Sequence, residues 1–412
     1  MKFKLTKMEK DWILYDIGNS AFILLVSTIF PIFFNYLAEK GGVSSVNYLA
    51  YWGYAASIST LIVALLGPVL GTVADTKGYK KPIFKIFLLL GVIACAILGF
   101  CGQWLLFLIV FIIAKVGYSA SIVFYDAMLN DVTTEERMDM VSSSGYAWGY
   151  IGSCIPFIVS LVVVLGRDAI GLGLQPAMII AFIINALWWL AASVPLLKNY
   201  KQIHYVEHQG EVIKKSFKRL LNTFKDMKNE KQIFIFLLAF FFYIDGVYTI
   251  IEMSTAYGSA LGLDTTGLLL ALLVTQIVAF PCALFMGRIS KKFKSENLIT
   301  VCIIAYLGIS LFAIQLDKQI EFWFLAICVG MFQGTIQALS RSYFAKIIPA
   351  VKSGEYFGLF DICGKGASFM GTALMSLFSQ ITGNVNGGVI ILSVMFVIGL
   401  LLFRKSINLQ KI

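Results

Sequence analysis

Twelve apolar runs, each about as long as the hydrocarbon layer of a bilayer requires, constrain this chain more than any other feature. They fall at residues 12–37, 48–73, 82–101, 103–129, 140–165, 174–197, 232–257, 265–287, 297–315, 320–345, 354–380 and 384–404. A run of about 20 mostly apolar residues crosses hydrocarbon as a helix, where each backbone N–H and C=O is satisfied within the segment. Open sheet edges are excluded there, and the runs lack the two-residue alternation of a barrel strand. The expected fold class is an all-α membrane protein with twelve transmembrane helices. Composition agrees: 59% of the 412 residues are hydrophobic and 14% are charged, against roughly 25% charged in a soluble domain.

The first run exceeds the apolar region of a cleaved secretory leader, about 7–15 residues, and lacks a small-residue cleavage site, so a retained first helix is expected. Seven cysteines (95, 101, 154, 282, 302, 328 and 363) lie in or at the ends of apolar runs without paired metal spacing. They read as small apolar filler. No metal and no cofactor is expected.

Basic residues set the orientation. Of 33 lysines and arginines, 27 fall in the N-terminal segment, the even-numbered loops and the C-terminal segment. Lys40, Arg167 and Lys318 alone fall in the odd-numbered loops, and Lys115, Arg341 and Lys365 within spans. This asymmetry places both termini in the cytoplasm. The net charge of +10 then reports topology and contact with anionic membrane lipids, not nucleic acid. The longest polar stretch, about 198–231, holds both histidines, His204 and His208, and a lysine-rich amphipathic piece, Val212 to Met227. It reads as a cytoplasmic connector on the inner leaflet. The chain thus divides into an N-terminal six-helix half (1–197), a connecting loop (198–231) and a C-terminal six-helix half (232–412). Two such halves are the pattern of parallel repeats in secondary transporters.

The loop between spans two and three reads Gly71-Thr-Val-Ala-Asp75-Thr-Lys-Gly78-Tyr-Lys80-Lys81. Its glycines permit a tight turn and close helix approach. Asp75 is suited to accept from a neighbouring helix N-terminus, and Lys80 and Lys81 hold the loop in water. The loop resembles the signature loop of the major facilitator superfamily, and the resemblance implies that the acid helps latch the two halves in one conformation. The second-half counterpart, Gly287-Arg288-Ile-Ser-Lys291-Lys292, has lysine where the acid would sit, so the latch is expected to work mainly from the first half.

Four further stretches resemble the vacuole effluxer family of that superfamily. They are Trp12-Ile-Leu-Tyr15-Asp16-Ile-Gly18-Asn19-Ser20-Ala21-Phe22, Gly145-Tyr-Ala-Trp148-Gly149-Tyr150-Ile-Gly152, Phe241-Phe-Tyr243-Ile-Asp245-Gly246-Val-Tyr248-Thr249-Ile-Ile-Glu252, and Gln333-Gly334-Thr-Ile-Gln337-Ala-Leu-Ser340-Arg341-Ser342. The family's eukaryotic members are implicated in amino-acid release from vacuoles. The resemblance implies the twelve-helix major facilitator fold.

The residues point the same way without the family. Asp16, Asn19, Ser20 and Ser27 share a face of span one, and Lys115, Tyr118, Ser119 and Asp126 a face of span four. Asp245, Tyr248, Thr249 and Glu252 do so on span seven, and Gln333, Gln337, Ser340 and Arg341 on span ten. In the facilitator fold, spans one, four, seven and ten surround the central cavity. An ionisable group at the bilayer centre costs about 2.5–3.5 kcal/mol on insertion scales, so it faces a cavity or a partner. Asp245 lies deepest among the carboxylates, with Glu252 two turns outward. With no histidine in a span, a proton carrier has to be a carboxylate. Asp361 and Lys365, four apart, read as a local ion pair. The glycine pairs Gly67/Gly71, Gly145/Gly149, Gly330/Gly334 and Gly354/Gly358 read as sites of close helix approach, and Pro156 and Pro281 as bends.

A secondary active transporter of a small polar solute follows, with amino acids or similar metabolites as substrates, alternating access and proton coupling. It is expected as a monomer in a bacterial cell membrane. An exporter of amphipathic drugs or lipids is the alternative that the aromatic content suits. A membrane-embedded enzyme is disfavoured, since no HExxH or aspartate-rich metal motif occurs, and an ATP-driven pump lacks its GxxxxGK[ST] loop.

Overall fold

The computed structural model describes residues 4–207, 230–383 and 385–409. His208 and the amphipathic piece Val212 to Met227 lie outside them. Among the described residues the chain forms twelve long helical segments, numbered here by place in the chain. Helix one is Lys7–Ser27 continued, after a break at Thr28, by Ile29–Lys40. Then follow helix two (Ser45–Ala74), three (Lys80–Ile97), four (Trp104–Ala127), five (Glu135–Leu165) and six (Leu174–Asn199). The second set comprises helix seven (Lys231–Ala260), eight (Thr265–Ile289), nine (Ser295–Ala313), ten (Gln319–Ile347), eleven (Ser353–Thr382) and twelve (Val385–Leu409).

Eleven of these helices are long and apolar enough to cross a membrane, among the described residues. Helix eleven falls outside that set; Glu355, Asp361 and Lys365 sit in its first half. Helix five starts at Glu135, five residues before the apolar run, because the polar turn Glu135–Met140 continues the same helix. The proline positions do not interrupt helices five and eight, which remain continuous across Pro156 and Pro281. The break at Thr28 lies three residues before Pro31, which has no N–H for the Ser27 carbonyl and whose ring crowds that carbonyl. Thr28 leaves helical geometry (φ −132°, ψ −75°), and its hydroxyl bonds back to the Leu24 carbonyl.

Packing repeats between the two sets. Helix one packs on five and six, two on four, three on four and six, and five on six. Adding six to each number gives the principal packing pairs of helices seven to twelve. The sets meet where helix two crosses eleven and five crosses eight, again a pair related by the same shift. Each set has its own aromatic core. Phe22, Phe30, Phe33 and Phe107 interlock in the first, and Phe236, Phe240, Phe344 and Phe360 in the second.

Helix alternation gathers the N-terminus, the 2–3, 4–5, 8–9 and 10–11 loops and the start of the connector at one end, here the basic end. The crossing of helices two and eleven there is close. A Cβ on Gly71 would stand 2.1 Å from the Gly354 carbonyl oxygen, so glycine is required for the backbones to touch.

Candidate functional site

Helix one is aimed by its first turn. Thr6 and Glu9 form a capping box, the Thr6 Oγ1 accepting from Glu9 N and the Glu9 carboxylate from Thr6 N. The same carboxylate accepts from Arg137 Nε and Nη2, both at 2.6 Å, and from Thr133 Oγ1 at 2.7 Å. Helix one is thereby tied to helix five, and its rotation sends Trp12 and Asp16 inward.

Asp16 meets a residue 325 positions away. Arg341 Nη2 lies 3.4 Å from Asp16 Oδ2, and Nη1 donates to Asp126 Oδ1 at 3.0 Å. Arg341 Nε and Nη2 also donate to the Ser142 hydroxyl (2.9 Å) and carbonyl (3.1 Å) on helix five. The guanidinium packs on the Trp12 and Tyr146 rings, 4.6 and 4.4 Å from their centroids. One arginine of the second set thus binds helices one, four and five of the first. Removing one member of such a buried set typically costs about 3–5 kcal/mol.

The signature loop forms a second joint. Asp75, fully buried, accepts from Gly354 N (2.7 Å) through Oδ1 and from Glu355 N (2.9 Å) through Oδ2. Its carboxylate thus caps the N-terminus of helix eleven, where donors are unsatisfied. Lys80, also buried, lies 3.7 Å from Asp75 and 3.4 Å from Asp131, and donates to Ser353 Oγ at 2.8 Å. Lys80 is therefore part of the joint, not a solvated lysine, whereas Lys81 reaches the carbonyls of Lys198 and Tyr200 at 3.4 Å. Gly78 turns the loop at φ +81°.

A third joint lies at helix five. Asp139 accepts from Ser342 Oγ, Ser295 Oγ and Lys346 Nζ, each at 2.6 Å. The Asn130 side chain adds a bond to the Ala345 carbonyl at 2.8 Å. The second-half loop lacks an acid, but Asp139 on helix five binds the start of helix nine and the end of helix ten, so a carboxylate ties helix five to the second set at the basic end. Interhelical bonds in membranes average about 0.6 kcal/mol each. Closure of this end therefore rests on many modest bonds.

The connector is fastened to the same region. Asp131 accepts from Tyr200 Oη (2.5 Å), from His204 N (2.8 Å) and from Ile203 N (3.2 Å), and the Val206 N–H donates to the Asp75 carbonyl at 2.8 Å. At the rim, Glu207 pairs with Lys77 at 3.2 Å and holds that ammonium above its ordinary pKa.

The remaining sequence candidates form smaller groups. Asp245, wholly buried, accepts from Gly371 N (2.8 Å) and Thr249 Oγ1 (3.3 Å) through Oδ1. Its buried Oδ2 has no hydrogen-bond partner among the described residues. Gly371 is needed there, since a Cβ would stand 2.2 Å from that carboxylate. Glu252 is exposed and Tyr248 half-buried. Lys115 is acted on by the charges of Glu252 and Lys365, across three helices. Lys365 pairs with Asp361 at 2.6 Å, as the spacing of four implies. Gln337 donates to the Gln333 carbonyl (3.2 Å), and Gln333 to Tyr150 Oη (3.3 Å). Ser119 and Asn19 are buried, and the Asn19 Nδ2 has no partner among the described residues. Ser340 leaves the span-ten stripe, its hydroxyl lying 2.7 Å from Tyr243 Oη, and Ser20 and Ser27 bond their own helix. A cavity of about 90 Å³ opens among helices seven to twelve, lined mostly by apolar groups with Thr249, Tyr257, Gln276 and Gln333 at its wall.

Sequence reasoning missed Asp131, Asp139, Asn130 and Ser142. Asp139 sits in the polar turn Glu135–Met140, ahead of the apolar run at 140–165. Its start signal, Thr134 followed by Glu135 and Glu136, marks a helix N-terminus.

A polytopic helical protein with a repeated packing plan and charged residues buried between its two sets of helices has the architecture of a solute carrier. The comparisons agree. Residues 6–411 match the family described as "Vacuole effluxer Atg22 like". The chain is 43% identical over 407 residues to YxiO of Bacillus subtilis (strain 168), an "uncharacterized MFS-type transporter", covering 98% of this chain and 95% of that protein. It is 26% identical over 280 residues to autophagy-related protein 22 of Cryptococcus neoformans, covering 63% of this chain and 48% of that protein. In fold it is similar to a bacterial homologue of the iron transporter ferroportin in an outward-facing state, with a TM-score of 0.71 at 14% identity over 98% of each chain. The molecule is a multi-pass integral membrane transporter of the major facilitator superfamily. Within that superfamily the chain belongs to the vacuole effluxer Atg22-like family.

Proposed function

We propose that this protein is a secondary active transporter of amino acids or similar small polar metabolites, working by alternating access and coupled to protons. Twelve spans cross a bacterial cell membrane, both termini lie in the cytoplasm, and the halves 1–197 and 232–412 rock about the connector 198–231. The protein acts as a monomer in contact with anionic lipid. The basic end is then cytoplasmic, and this conformation is closed on that side.

The observation that carries the reading is the set of joints between the two helix sets: Arg341 with Asp16 and Asp126, Asp75 with helix eleven, and Asp139 with Lys346. All lie toward one end, as expected of a carrier caught in one of its two end states. A polar solute is favoured by the charges and amides of both signs on helices one, four, seven and ten. Lys115, Glu252, Gln333 and Gln337 bind it beside Asn19, Ser119 and Tyr248. Asp245, with one oxygen unbonded in a buried position, carries the coupling proton. The test is uptake and efflux by the purified protein in vesicles, with a panel of labelled amino acids and an imposed pH difference. Accumulation that follows the pH difference for at least one neutral amino acid is expected. Transport of none of the panel, in either direction, contradicts the substrate assignment.

A further inference from the structure

We propose that Asp16 and Asp126 together hold one proton while the basic end is closed, and release it when that end opens. The proposal rests on the alternating-access reading above and adds a second proton site, separate from Asp245.

The argument begins with a count of charges. Two carboxylates meet one guanidinium, with contacts of 3.0 and 3.4 Å, and the three side chains are 13%, 11% and 3% exposed. The other contacts of Arg341 go to the neutral Ser142 and to the Trp12 and Tyr146 rings. One negative charge is left over. Among the described residues its surroundings supply no offset. Helix two carries no charged residue, and the lysines of helix three (Lys80, Lys81 and Lys85) sit in its first two turns. Of these, Lys80 is engaged by Asp75 and Asp131. From helix eleven the charge that acts on Asp126 is Asp361, itself paired with Lys365. Helices four and five bring the phenols of Tyr118, Tyr125, Tyr146 and Tyr150 to the pair; of their charged residues, Lys115 lies eleven residues from Asp126, and Arg137 and Asp139 pair with Glu9 and Lys346.

An unpaired carboxylate buried away from water is strongly disfavoured, so the cluster takes up one positive charge. Among the described residues no third carboxylate, histidine or cysteine joins the pair to form a metal cage. The proton needs no such cage. Because both acids answer to one arginine, the proton belongs to the pair rather than to either residue.

The sign of the linkage follows. The closed cluster binds one proton and becomes neutral. When the halves part, water reaches the carboxylates and the reason for binding it disappears. Closure of the basic end therefore takes up a proton, is favoured at low pH, and weakens as pH rises through the affinity of the closed pair.

Two measurements on the full-length protein in lipid nanodiscs test this. Infrared spectra across pH should show a buried carboxylic-acid C=O band that is lost in Asp16→Asn, in Asp126→Asn and in the double variant alike, because one amide already balances the arginine. Independent acids would instead lose the band in parts, with the double variant losing more than either single one, and that result overturns the proposal. Spin labels at Glu136 and Lys292 across the basic end should move apart as pH rises in the wild type, and keep the short distance in either single variant. A wild-type distance unchanged by pH, or one moved as far by exchanging potassium for sodium, also overturns it. A second pair, at Gly42 and Lys318, reports on alternating access itself. If the basic end opens without reciprocal closure there, the transport cycle is at fault and not the proton assignment.

Discussion

The surroundings of Asp245 shape the part proposed for it in transport. Its Oδ1 is held by Gly371 N and Thr249, so removing the charge need not empty the position. Asp245→Asn keeps a side chain of the same shape and cannot carry a proton. Exchange of labelled for unlabelled substrate requires only that the loaded carrier reorient, whereas accumulation requires the proton to come on and off. Asp245→Asn is therefore expected to abolish pH-driven accumulation, by roughly 100-fold or more as for loss of an acid–base group, with exchange retained. If the variant still concentrates substrate in response to an imposed pH difference, Asp245 is not the proton site. Residues of this kind are legible in sequence because hydrocarbon penalises every charge, so Asp16, Asp126, Asp245 and Arg341 stand out at once. Their partners are not legible. Arg341 lies 215 residues from Asp126 and 325 from Asp16, and no local spacing encodes a contact between helices ten, one and four. Trp12 and Tyr146 lie in stretches that resemble the vacuole effluxer family, yet nothing local in those stretches aims their rings at Arg341.

At the scale of elements, the joints depend on helix ends. Asp75 works because helix eleven starts beneath it, and Gly71 works because the Gly354 backbone approaches it. Asp75→Asn removes the charge and one acceptor oxygen at the N-terminus of helix eleven. It should shift the balance between end states by about 1–3 kcal/mol, roughly 5- to 150-fold in population. Transport falls accordingly while membrane insertion stays normal, as checked by vesicle uptake and by surface labelling. Unchanged transport would reduce the loop to a turn. The sequence revealed the joint at Asp75 because its glycines, acid and lysines fall within one loop. It hid the joint at Asp139 because that residue stands on helix five, away from the second-half loop, and because helix five begins before its apolar run. The break of helix one at Thr28 had one signal, Pro31 three residues on, which lies inside a continuous apolar run.

The whole molecule was the most legible scale, because apolar length and charge asymmetry are properties of long segments and survive errors of a few residues at each boundary. The repeated packing of helices one to six and seven to twelve requires contacts between distant segments, which periodicity alone does not reveal. Orientation is open to direct test. Cysteines placed at Gly42 and Lys318 should react with an impermeant thiol reagent added to intact cells, and one at Gly210 should not. Labelling at Gly210 in sealed cells would reverse the assignment of the basic end to the cytoplasm. The central claim is that the joints at the basic end must open in each cycle. Asn130 and Ala345 face one another across that end, the Asn130 amide bonded to the Ala345 carbonyl at 2.8 Å. Cysteines at both positions, joined by a short bifunctional thiol reagent with a cleavable disulfide, should stop transport at least about tenfold, equivalent to roughly 1.4 kcal/mol, and reduction should restore it. Transport at the wild-type rate with the link quantitatively formed would contradict alternating access in this protein.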